Sequence, residues 1–459
     1  MDLYNKKTRD ELIALCKDKK IRGYSNIKKD EIIKLLLSKS IDKKCDKADI
    51  ALPDIALQEN KEFIPQNSIK FIDLFCGIGG FHQALNSING TCVFACDIDE
   101  KCREVYESNY GLKPSSDITK VDINTIPPFD VLCAGFPCQP FSKAGQQKGF
   151  NDNRGNLFFN ICYIIEHHKP KYLILENVRN LSSHDGGNTW NVIYENIDKL
   201  GYYTYKIPVI LNVLHFNIPQ NRERVIIMCK RKDLGELNIL PQISTTPKLN
   251  LTKTISDFTC SRPETDKYRI TGKLKDVETI WNTFIILLIK NNISMPKYPI
   301  WTDWWDNVYQ ENDVFYLKYE SWIDKNRSFY NDNKKILQDW LITSRLNKNW
   351  FGSVRKFEWQ AGDLLADDGM HMVLWTARGS GIRVKRCNYI PTLVAMSMIP
   401  VYGPETRKLT PRELLRLQSF PDCFKFDEKT IYKQVGNAVN VKMIEKCAKF
   451  LIFNQELFS

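Results

Sequence analysis

Five short apolar segments recur along the chain, each separated from the next by a stretch with helical or loop character. They are FIDLF, CVFACDI, VLCAGF, YLILENV and RVIIMC. Nearly continuous apolar strands of this length are typical of parallel strands that are buried on both faces. The pattern predicts an open α/β fold with a mostly parallel sheet and helices on both faces, in which ligands bind at the carboxyl ends of the strands.

The rest of the 459-residue chain allows further domains, since one domain takes roughly 150 residues. Residues 1–40 contain two amphipathic helical patterns, TRDELIALCKDK and KKDEIIKLLLSK, and residues 41–67 are polar and weakly patterned, as in a linker. The α/β pattern covers 68–235. Residues 236–375 contain nine of the ten tryptophans and no βα rhythm, which predicts a second domain before the strands and helices return at 376–459.

Composition restricts the classes of protein to consider. The net charge of +11 fits a polyanionic partner, although it also fits an ordinary solvated surface. The fourteen cysteines show neither CxxC pairs nor metal-ligand spacing, so we expect reduced, mostly buried thiols and no metal. No segment resembles a signal peptide or a membrane span. We expect an intracellular protein, cytoplasmic if prokaryotic or viral and nuclear if eukaryotic.

Glycines and acids follow the first strands of the predicted sheet. The turn CGIGGF comes directly after FIDLF, but a dinucleotide fingerprint would require a glycine where this chain has His82, so nicotinamide binding is disfavoured. Asp97 and Asp99 end the next strand, where an acid can bind ribose hydroxyls, and Asp117 is placed to contact an adenine. A structural role for the three acids, as helix caps, remains open.

A thiol, a carboxyl group and two guanidinium groups are predicted at one edge of the sheet. Cys138 lies in a Pro-Cys-Gln-Pro loop after a strand, Glu176 and Asn177 end another strand, and Arg222 and Arg224 precede the next one. A lone cysteine is more often a buried structural thiol than a catalytic one. The convergence of these groups favours a catalytic site.

Six segments carry a family resemblance. They are FIDLFCGIGGF, AGFPCQPFS, ENVRN, QNRERV, RKLTPRELLRLQSFPD and YKQVGNAV. In order and spacing they resemble the motifs of DNA cytosine-5 methyltransferases, and residues 68–232 in particular resemble the bacterial HhaI-type modification enzymes. The resemblance implies a Rossmann-like fold of the S-adenosylmethionine-dependent methyltransferase type, with an inserted target recognition domain at 236–375.

The resemblance also implies the chemistry. The thiolate of Cys138 would add to cytosine C6, so that C5 can accept the methyl group of S-adenosylmethionine. Glu176 would bond to N3 and the exocyclic amine, Arg224 would bind O2, and Arg222 would support the same loop. Loss of the C5 proton and elimination of the thiolate would release 5-methylcytosine.

Cofactor residues follow from the same motifs, and one departure is visible. The implied residues are Phe75, Gly77, Gly80, Asp97, Asp117, Ile118 and Asn437. The family often has Glu and Trp where this chain has Asp97 and Ile98, which predicts weaker cofactor binding without its loss.

DNA is the implied partner, and the target cytosine must be flipped out of the duplex. We expect DNA contacts from Gln139, Ser142, Arg355, Arg378 and Arg383. Residues 1–40 resemble SAP-type helical modules, which bind DNA, although a solvated basic helix pair explains them nearly as well. A monomer with a cognate restriction endonuclease is expected.

Three alternative functions fit these residues less well. An RNA, or tRNA, cytosine-5 methyltransferase would share the catalytic edge, but the long insert and the DNA-type module favour DNA. A catalytically inactive DNA-binding adaptor would be expected to have lost Cys138 or Glu176, and both are present. A thiol oxidoreductase would need a resolving cysteine, for which Cys133 is poorly spaced.

Overall fold

The computed structural model describes residues 68–137, 157–247, 251–306, 314–344, 354–393 and 398–458, together with the single residue Lys29. The chain divides into two compact units, Met1–Ile64 and Pro65–Ser459, and apart from Lys29 all the described residues belong to the second. The predicted N-terminal module and linker therefore lie outside the described residues. So do Cys138, Gln139 and Ser142.

The first sheet takes its strands from the predicted α/β segment. In chain order the strands of this segment are β1 (Lys70–Leu74), β2 (Thr91–Cys96), β3 (Val131–Gly135), β4 (Tyr172–Val178), β5 (Tyr202–Tyr203), β6 (Val209–Asn212), β7 (Gln220–Asn221) and β8 (Glu223–Arg231). All except β7 form one seven-stranded sheet of order β2-β1-β3-β4-β8-β5, with β6 also paired to β8. Strands β1 to β4 pair in parallel, whereas β8 is antiparallel to its three partners, so six strands share one direction. The predicted α/β class with a mostly parallel sheet is confirmed.

A second sheet is built from later residues. The strands are β9 (Ile300–Trp301), β10 (Lys356–Trp359), β11 (Val373–Arg378), β12 (Gly381–Arg386), β13 (Ile390–Pro391), β14 (Val401–Tyr402) and β15 (Arg407–Lys408). Six of them form a sheet of order β15-β14-β11-β12-β10-β9, while β13 pairs in parallel with β7. The sheet continues beyond residue 375, where the sequence pattern places the return to the catalytic domain.

Twelve α-helices occur in the described residues. They are α1 (Gly80–Asn86), α2 (Glu100–Tyr110), α3 (Leu157–His168), α4 (Asn188–Lys199), α5 (Arg262–Thr265), α6 (Lys273–Lys290), α7 (Asp303–Asp306), α8 (Val314–Asp332), α9 (Lys334–Thr343), α10 (Pro411–Leu417), α11 (Ile431–Asn437) and α12 (Val441–Phe453). Within the portion described, none is long and apolar enough to cross a lipid bilayer.

Alternate residues of the parallel strands fill two separate hydrophobic cores. Phe71 and Ile174 point to a core that also contains residues of α1 and α12. Their chain neighbours Ile72 and Leu173 point to the other core, which contains residues of α3 and α4. Because successive side chains of a strand lie on opposite faces, a continuous apolar strand requires a helical layer on each side.

Most of the tryptophans and cysteines in the described residues are buried, and for the cysteines the sequence predicts this. Seven tryptophans are buried, namely Trp190, Trp281, Trp304, Trp305, Trp340, Trp359 and Trp375. Trp322 is an exception, with 47% of its surface exposed. Of the eleven cysteines within the described ranges, all are free and seven are buried.

Candidate active site

A cleft lies at the carboxyl ends of β1 to β4, where the loops after these strands meet the end of α11 and the residues that follow it. Its walls include all seven residues that the sequence predicts for the cofactor: Phe75, Gly77, Gly80, Asp97, Asp117, Ile118 and Asn437. Glu176, Arg222 and Arg224 line the same cleft. The fold therefore brings the predicted cofactor residues and three of the four predicted catalytic residues into one cavity.

The turn after β1 has a backbone that few residues tolerate. Phe75 has a φ of 56°, in the left-handed region, which costs a non-glycine residue about 1–3 kcal/mol. Gly80, at the start of α1, packs closely against the segment after α11, because a Cβ there would lie 2.6 Å from Val439 Cγ2 and 2.9 Å from the Val439 carbonyl oxygen. A side chain at Gly80 would push these two walls of the cleft apart.

Asp97 supports this turn from the end of β2. Its Oδ2 accepts a hydrogen bond from the Gly77 N–H at 2.7 Å, and its Oδ1 accepts one from the Asp99 N–H at 2.8 Å. Burial raises the pKa of Asp97 above its usual range. The next residue, Ile98, is an apolar side chain that is 80% exposed on the wall of the cleft. The carboxylate of Asp97 and the exposed alkyl group of Ile98 together suit a ligand that has hydroxyl groups and an aromatic ring.

Asp99 and Asp117 are helix caps, as the structural alternative proposed. Asp99 accepts hydrogen bonds from the Lys101 and Cys102 N–H groups at the start of α2. Asp117 accepts from the N–H and the hydroxyl of Thr119, and these hydrogen bonds lower its pKa. Both acids also line the cleft, so capping does not remove them from the wall. Asp97 caps no helix.

The catalytic edge contains an acid and a guanidinium group in contact. Glu176 in β4 and Arg224 in β8 lie on antiparallel neighbouring strands, and Arg224 Nε is 2.7 Å from Glu176 Oε1. This ion pair is the contact of Oε1 among the described residues, and no hydrogen bond is formed there. Both side chains are about one-tenth exposed. A nearly buried carboxyl group paired with a guanidinium group therefore lines the cleft.

Arg222 lines the cleft, but its guanidinium group is hydrogen-bonded to backbone carbonyl oxygens. It is 1% exposed, and it donates hydrogen bonds to the carbonyl oxygens of Leu393 and Gly436, both at 3.1 Å, and of Ala438 at 2.9 Å. Burial, and next the charge of Arg224, lower its pKa to about 9. The two arginines, two residues apart, thus have different surroundings.

Asn177 positions the start of the loop that contains Cys138. Its side-chain amide donates to the Phe136 carbonyl at 2.9 Å and its Oδ1 accepts from the Val178 N–H. Pro137, the last described residue before Cys138, lines the cleft. The described chain therefore reaches the cleft wall at the residue directly before Cys138.

One residue of the cleft, Gln434, was not singled out from the sequence. It lies in α11, three residues before Asn437. Gln434 is buried, and both residues line the cleft. The spacing was a usable signal, because residues three apart on a helix share a face.

Known proteins with related sequences can now be compared. A family model described as C-5 cytosine-specific DNA methylase matches residues 69–452. The chain belongs to this family. The resemblance drawn from the six motifs is confirmed, and so is the activity that it implies, methylation of DNA at cytosine C5.

Bacterial members of the family align over most of this chain. The type II methyltransferase M.HhaI of Haemophilus parahaemolyticus is 35% identical over 382 residues, which is 83% of this chain and 93% of that protein. M.HpaII of Haemophilus parainfluenzae is 32% identical, over 83% of this chain and 88% of its own length. M.AluI of Cellulosimicrobium cellulans is 30% identical, over 82% and 90%.

The three arginines predicted to contact DNA do not line the cleft of this methylase, and their surroundings differ. Arg355 forms an ion pair with Asp303 at 2.6 Å, and Arg383 forms one with Glu358 at 2.9 Å. Arg378 ends β11, and no ion pair or hydrogen bond of its side chain occurs within the described ranges. Burial and the charge of Arg383 lower its pKa. Arg378 is therefore the arginine most available to a ligand.

Proposed function

We propose that this DNA cytosine-5 methyltransferase acts on a cytosine flipped out of double-stranded DNA, with Cys138 as nucleophile and S-adenosylmethionine as methyl donor. The observation that carries the proposal is the single cleft, which joins the predicted cofactor residues to the Glu176–Arg224 pair. Methyl transfer requires donor and acceptor side by side, and one cavity at the strand ends provides that arrangement.

The chemistry of the cleft fits S-adenosylmethionine. Asp97 presents a carboxylate suited to ribose hydroxyls, Ile98 presents an exposed alkyl group suited to an adenine face, and Asp117 and Ile118 stand on the same wall. When bound, the cofactor supplies an electrophilic methyl group. Phe75, Gly77, Gly80 and Asn437 would complete its surroundings.

The residues on the catalytic edge would prepare cytosine C5 for that methyl group. The thiolate of Cys138 adds to C6, a C–S bond forms, and negative charge moves onto N3 while C5 gains enamine character. Glu176 holds a proton at N3, and Arg224 binds O2. Once C5 has its methyl group, a base removes the C5 proton, the C–S bond breaks and the thiolate leaves with its electron pair.

Arg222 and Asn177 would act through other groups. Arg222 fixes the backbone of residues 436 and 438, and Asn177 fixes the Phe136 carbonyl two residues before Cys138. Both are positioning residues in this proposal, because neither needs to touch the base. Among the three arginines predicted to contact DNA, Arg378 is the favoured base-reading residue, since Arg355 and Arg383 are engaged in ion pairs.

Further parts of the proposal concern the whole protein. Residues 1–40 would bind DNA phosphates as a SAP-like module, and the enzyme would act as a monomer beside a restriction endonuclease that reads the same site. The type II names of the relatives support the endonuclease.

Bisulfite sequencing of a random plasmid library tests the function. Full-length protein with S-adenosylmethionine should methylate cytosine in one sequence context, and Cys138→Ser should abolish methylation while cofactor and DNA binding persist. DNA with 5-fluorocytosine at the target should form a denaturation-resistant adduct with the unmodified enzyme, because fluorine does not leave as a cation. Normal turnover by Cys138→Ser would refute the nucleophile. Methylation of RNA but not DNA would favour the RNA alternative.

A further inference from the structure

Gln434 is a buried amide on the wall of the cleft that makes no side-chain hydrogen bond. It is 4% exposed, and neither its Nε2 nor its Oε1 has a hydrogen-bond partner among the described residues. Its polar neighbour is the thiol of Cys102, a weak hydrogen-bonding group, and no hydrogen bond of normal geometry joins the two. Apart from this weak contact with the Cys102 thiol, neither end of the amide has a partner among the described residues.

Two other buried glutamines of the same region show what a structural role looks like. Gln418 donates from Nε2 to the carbonyl oxygens of Val435 and Ala438, and Gln220 donates to the Leu417 carbonyl. Each of these side chains connects one segment of backbone to another. The side chain of Gln434 makes no such hydrogen bond among the described residues.

A buried amide without partners destabilises a fold, because its groups lose hydrogen bonds to water and gain none. An apolar side chain of the same length would fit α11 at lower cost. The amide therefore has a use that the protein alone does not reveal, and its place on the cleft wall points to a ligand.

The position of Gln434 narrows the choice of ligand group. Lys433, the residue before Gln434, forms an ion pair with Asp99 at 3.2 Å, and Asp97 lines the same cleft two residues earlier, so Gln434 lies on the Asp97 side of the cleft. An amide offers a donor and an acceptor together. Hydroxyl groups and the edge of an adenine can bond to both, whereas a carboxylate only accepts and an ammonium group only donates. The adenine is assigned to the wall with Asp117 and Ile118, so the ribose hydroxyls are the groups left for Gln434.

We propose that the side-chain amide of Gln434 binds the ribose hydroxyls of the cofactor, opposite the carboxylate of Asp97. The inference rests on the proposed use of S-adenosylmethionine and adds a residue and a contact to it. Binding gives hydrogen bonds to both amide atoms at once. Because these atoms lack such bonds in the ligand-free protein, the new bonds contribute to the affinity for the nucleoside.

Substitution of Gln434 by Met or Leu tests the contact without measuring turnover. The readouts are the melting temperature of the cofactor-free full-length protein and the Kd, by calorimetry, for S-adenosylhomocysteine and for 5′-methylthioadenosine, which keeps the ribose but lacks the amino acid. Gln418→Met is the matched control. It removes an amide that holds backbone, so it should lower the melting temperature.

We expect Gln434→Met and Gln434→Leu to melt at or above the temperature of the unmodified protein, and to bind both ligands about tenfold more weakly. Unchanged affinity would overturn the proposal. So would a melting temperature lowered in both variants as in Gln418→Met, because the amide would then have a structural partner. A loss confined to S-adenosylhomocysteine would refute the ribose contact. Failure of the unmodified protein to bind either ligand would instead refute the proposed cofactor.

Discussion

At the scale of single residues, similar side chains have different roles because the fold orients them differently. Arg222 is surrounded by carbonyl oxygens, whereas Arg224 faces the carboxylate of Glu176 in the open cleft. A guanidinium group has five donors in a fixed plane, which a lysine does not reproduce. The same substitution should therefore mainly affect stability at Arg222 and mainly affect activity at Arg224.

Arg222→Lys should lower the free energy of unfolding by about 2–4 kcal/mol, because one ammonium group does not reach three separate carbonyl oxygens. Arg224→Lys keeps a positive charge beside Glu176, so we expect nearly unchanged stability and a kcat/KM for DNA methylation that is roughly 10- to 100-fold lower. Denaturant unfolding and single-site methylation rates measure both effects. Equal losses of stability in the two variants would contradict this division of roles.

Arg378→Ala should relax the DNA sequence context of methylation at one position, since a base-reading arginine contributes about 1–3 kcal/mol of discrimination. Alanine at Arg355, Arg383 or Arg386 should mainly weaken the fold, because each of these arginines forms an ion pair. Context profiles from bisulfite sequencing, with melting temperatures, distinguish the two outcomes. An unchanged profile in Arg378→Ala would move recognition elsewhere, for example to residues 139–156.

At the scale of elements, helix α2 holds the turn that begins α1. His82 of α1 stacks on Tyr110 of α2 with ring centroids 3.8 Å apart, and its Nδ1 lies 2.6 Å from the Tyr106 hydroxyl. Tyr110 donates to the Gly79 carbonyl at 2.9 Å. The residue that departs from a dinucleotide fingerprint is therefore a packing residue between two helices.

Stability should fall in acid because of His82. Burial lowers its pKa from 6.5 to about 4, so between these values the unfolded chain binds a proton that the folded protein does not. The free energy of unfolding should drop by about 2 kcal/mol between pH 7 and pH 5 from this group. His82→Gln, which does not titrate, should lose less over the same interval in thermal or denaturant unfolding.

Asp73 is buried in the unmodified protein and remains in His82→Gln, and its effect on the pH dependence of stability is opposite to that of His82. Burial raises its pKa well above the usual range, so its contribution falls as pH rises rather than as it drops. Comparing His82→Gln with the unmodified protein cancels this contribution. Identical pH profiles in the two proteins would show that His82 does not titrate as argued.

At the scale of the whole molecule, the segment between β12 and β14 contacts the segment before β8, close to the catalytic edge. Strand β13 in this segment pairs in parallel with β7, and Arg222, the residue directly after β7, donates to the Leu393 carbonyl. Thr392 also donates its hydroxyl to the Asn221 carbonyl at 2.7 Å. The part of the chain proposed to read DNA is thus tied to the strand that presents Arg224.

Deletion of residues 1–60 should leave catalysis and sequence context intact while weakening DNA affinity and flattening its dependence on salt. Residues 1–39 carry eleven Lys and Arg against six Asp and Glu, and phosphate contacts release counterions without reading bases. Binding titrations at several salt concentrations measure the slope. A changed methylation context in the truncated protein would show that the module reads bases.

The fold class and the family follow from local patterns in the sequence. Strand periodicity is local, so FIDLF and YLILENV predict buried parallel strands without knowledge of their partners. The short motifs contain the residues at the strand ends, and parallel strands bring those ends to one edge. Phe75, Asp97, Glu176 and Arg224 therefore line one cleft, as the motifs imply.

The partner of each side chain depends on contacts between distant segments, which local patterns do not predict. Arg222 and Gly436 are 214 residues apart, and no local pattern distinguishes that hydrogen bond from a contact with the base. Three other features also depend on contacts between distant residues. They are the continuation of the second sheet past residue 375, the ion pairs of Arg355 and Arg383, and the unpartnered amide of Gln434. Propensity and spacing act over a few residues, whereas the choice of partner depends on how distant segments pack.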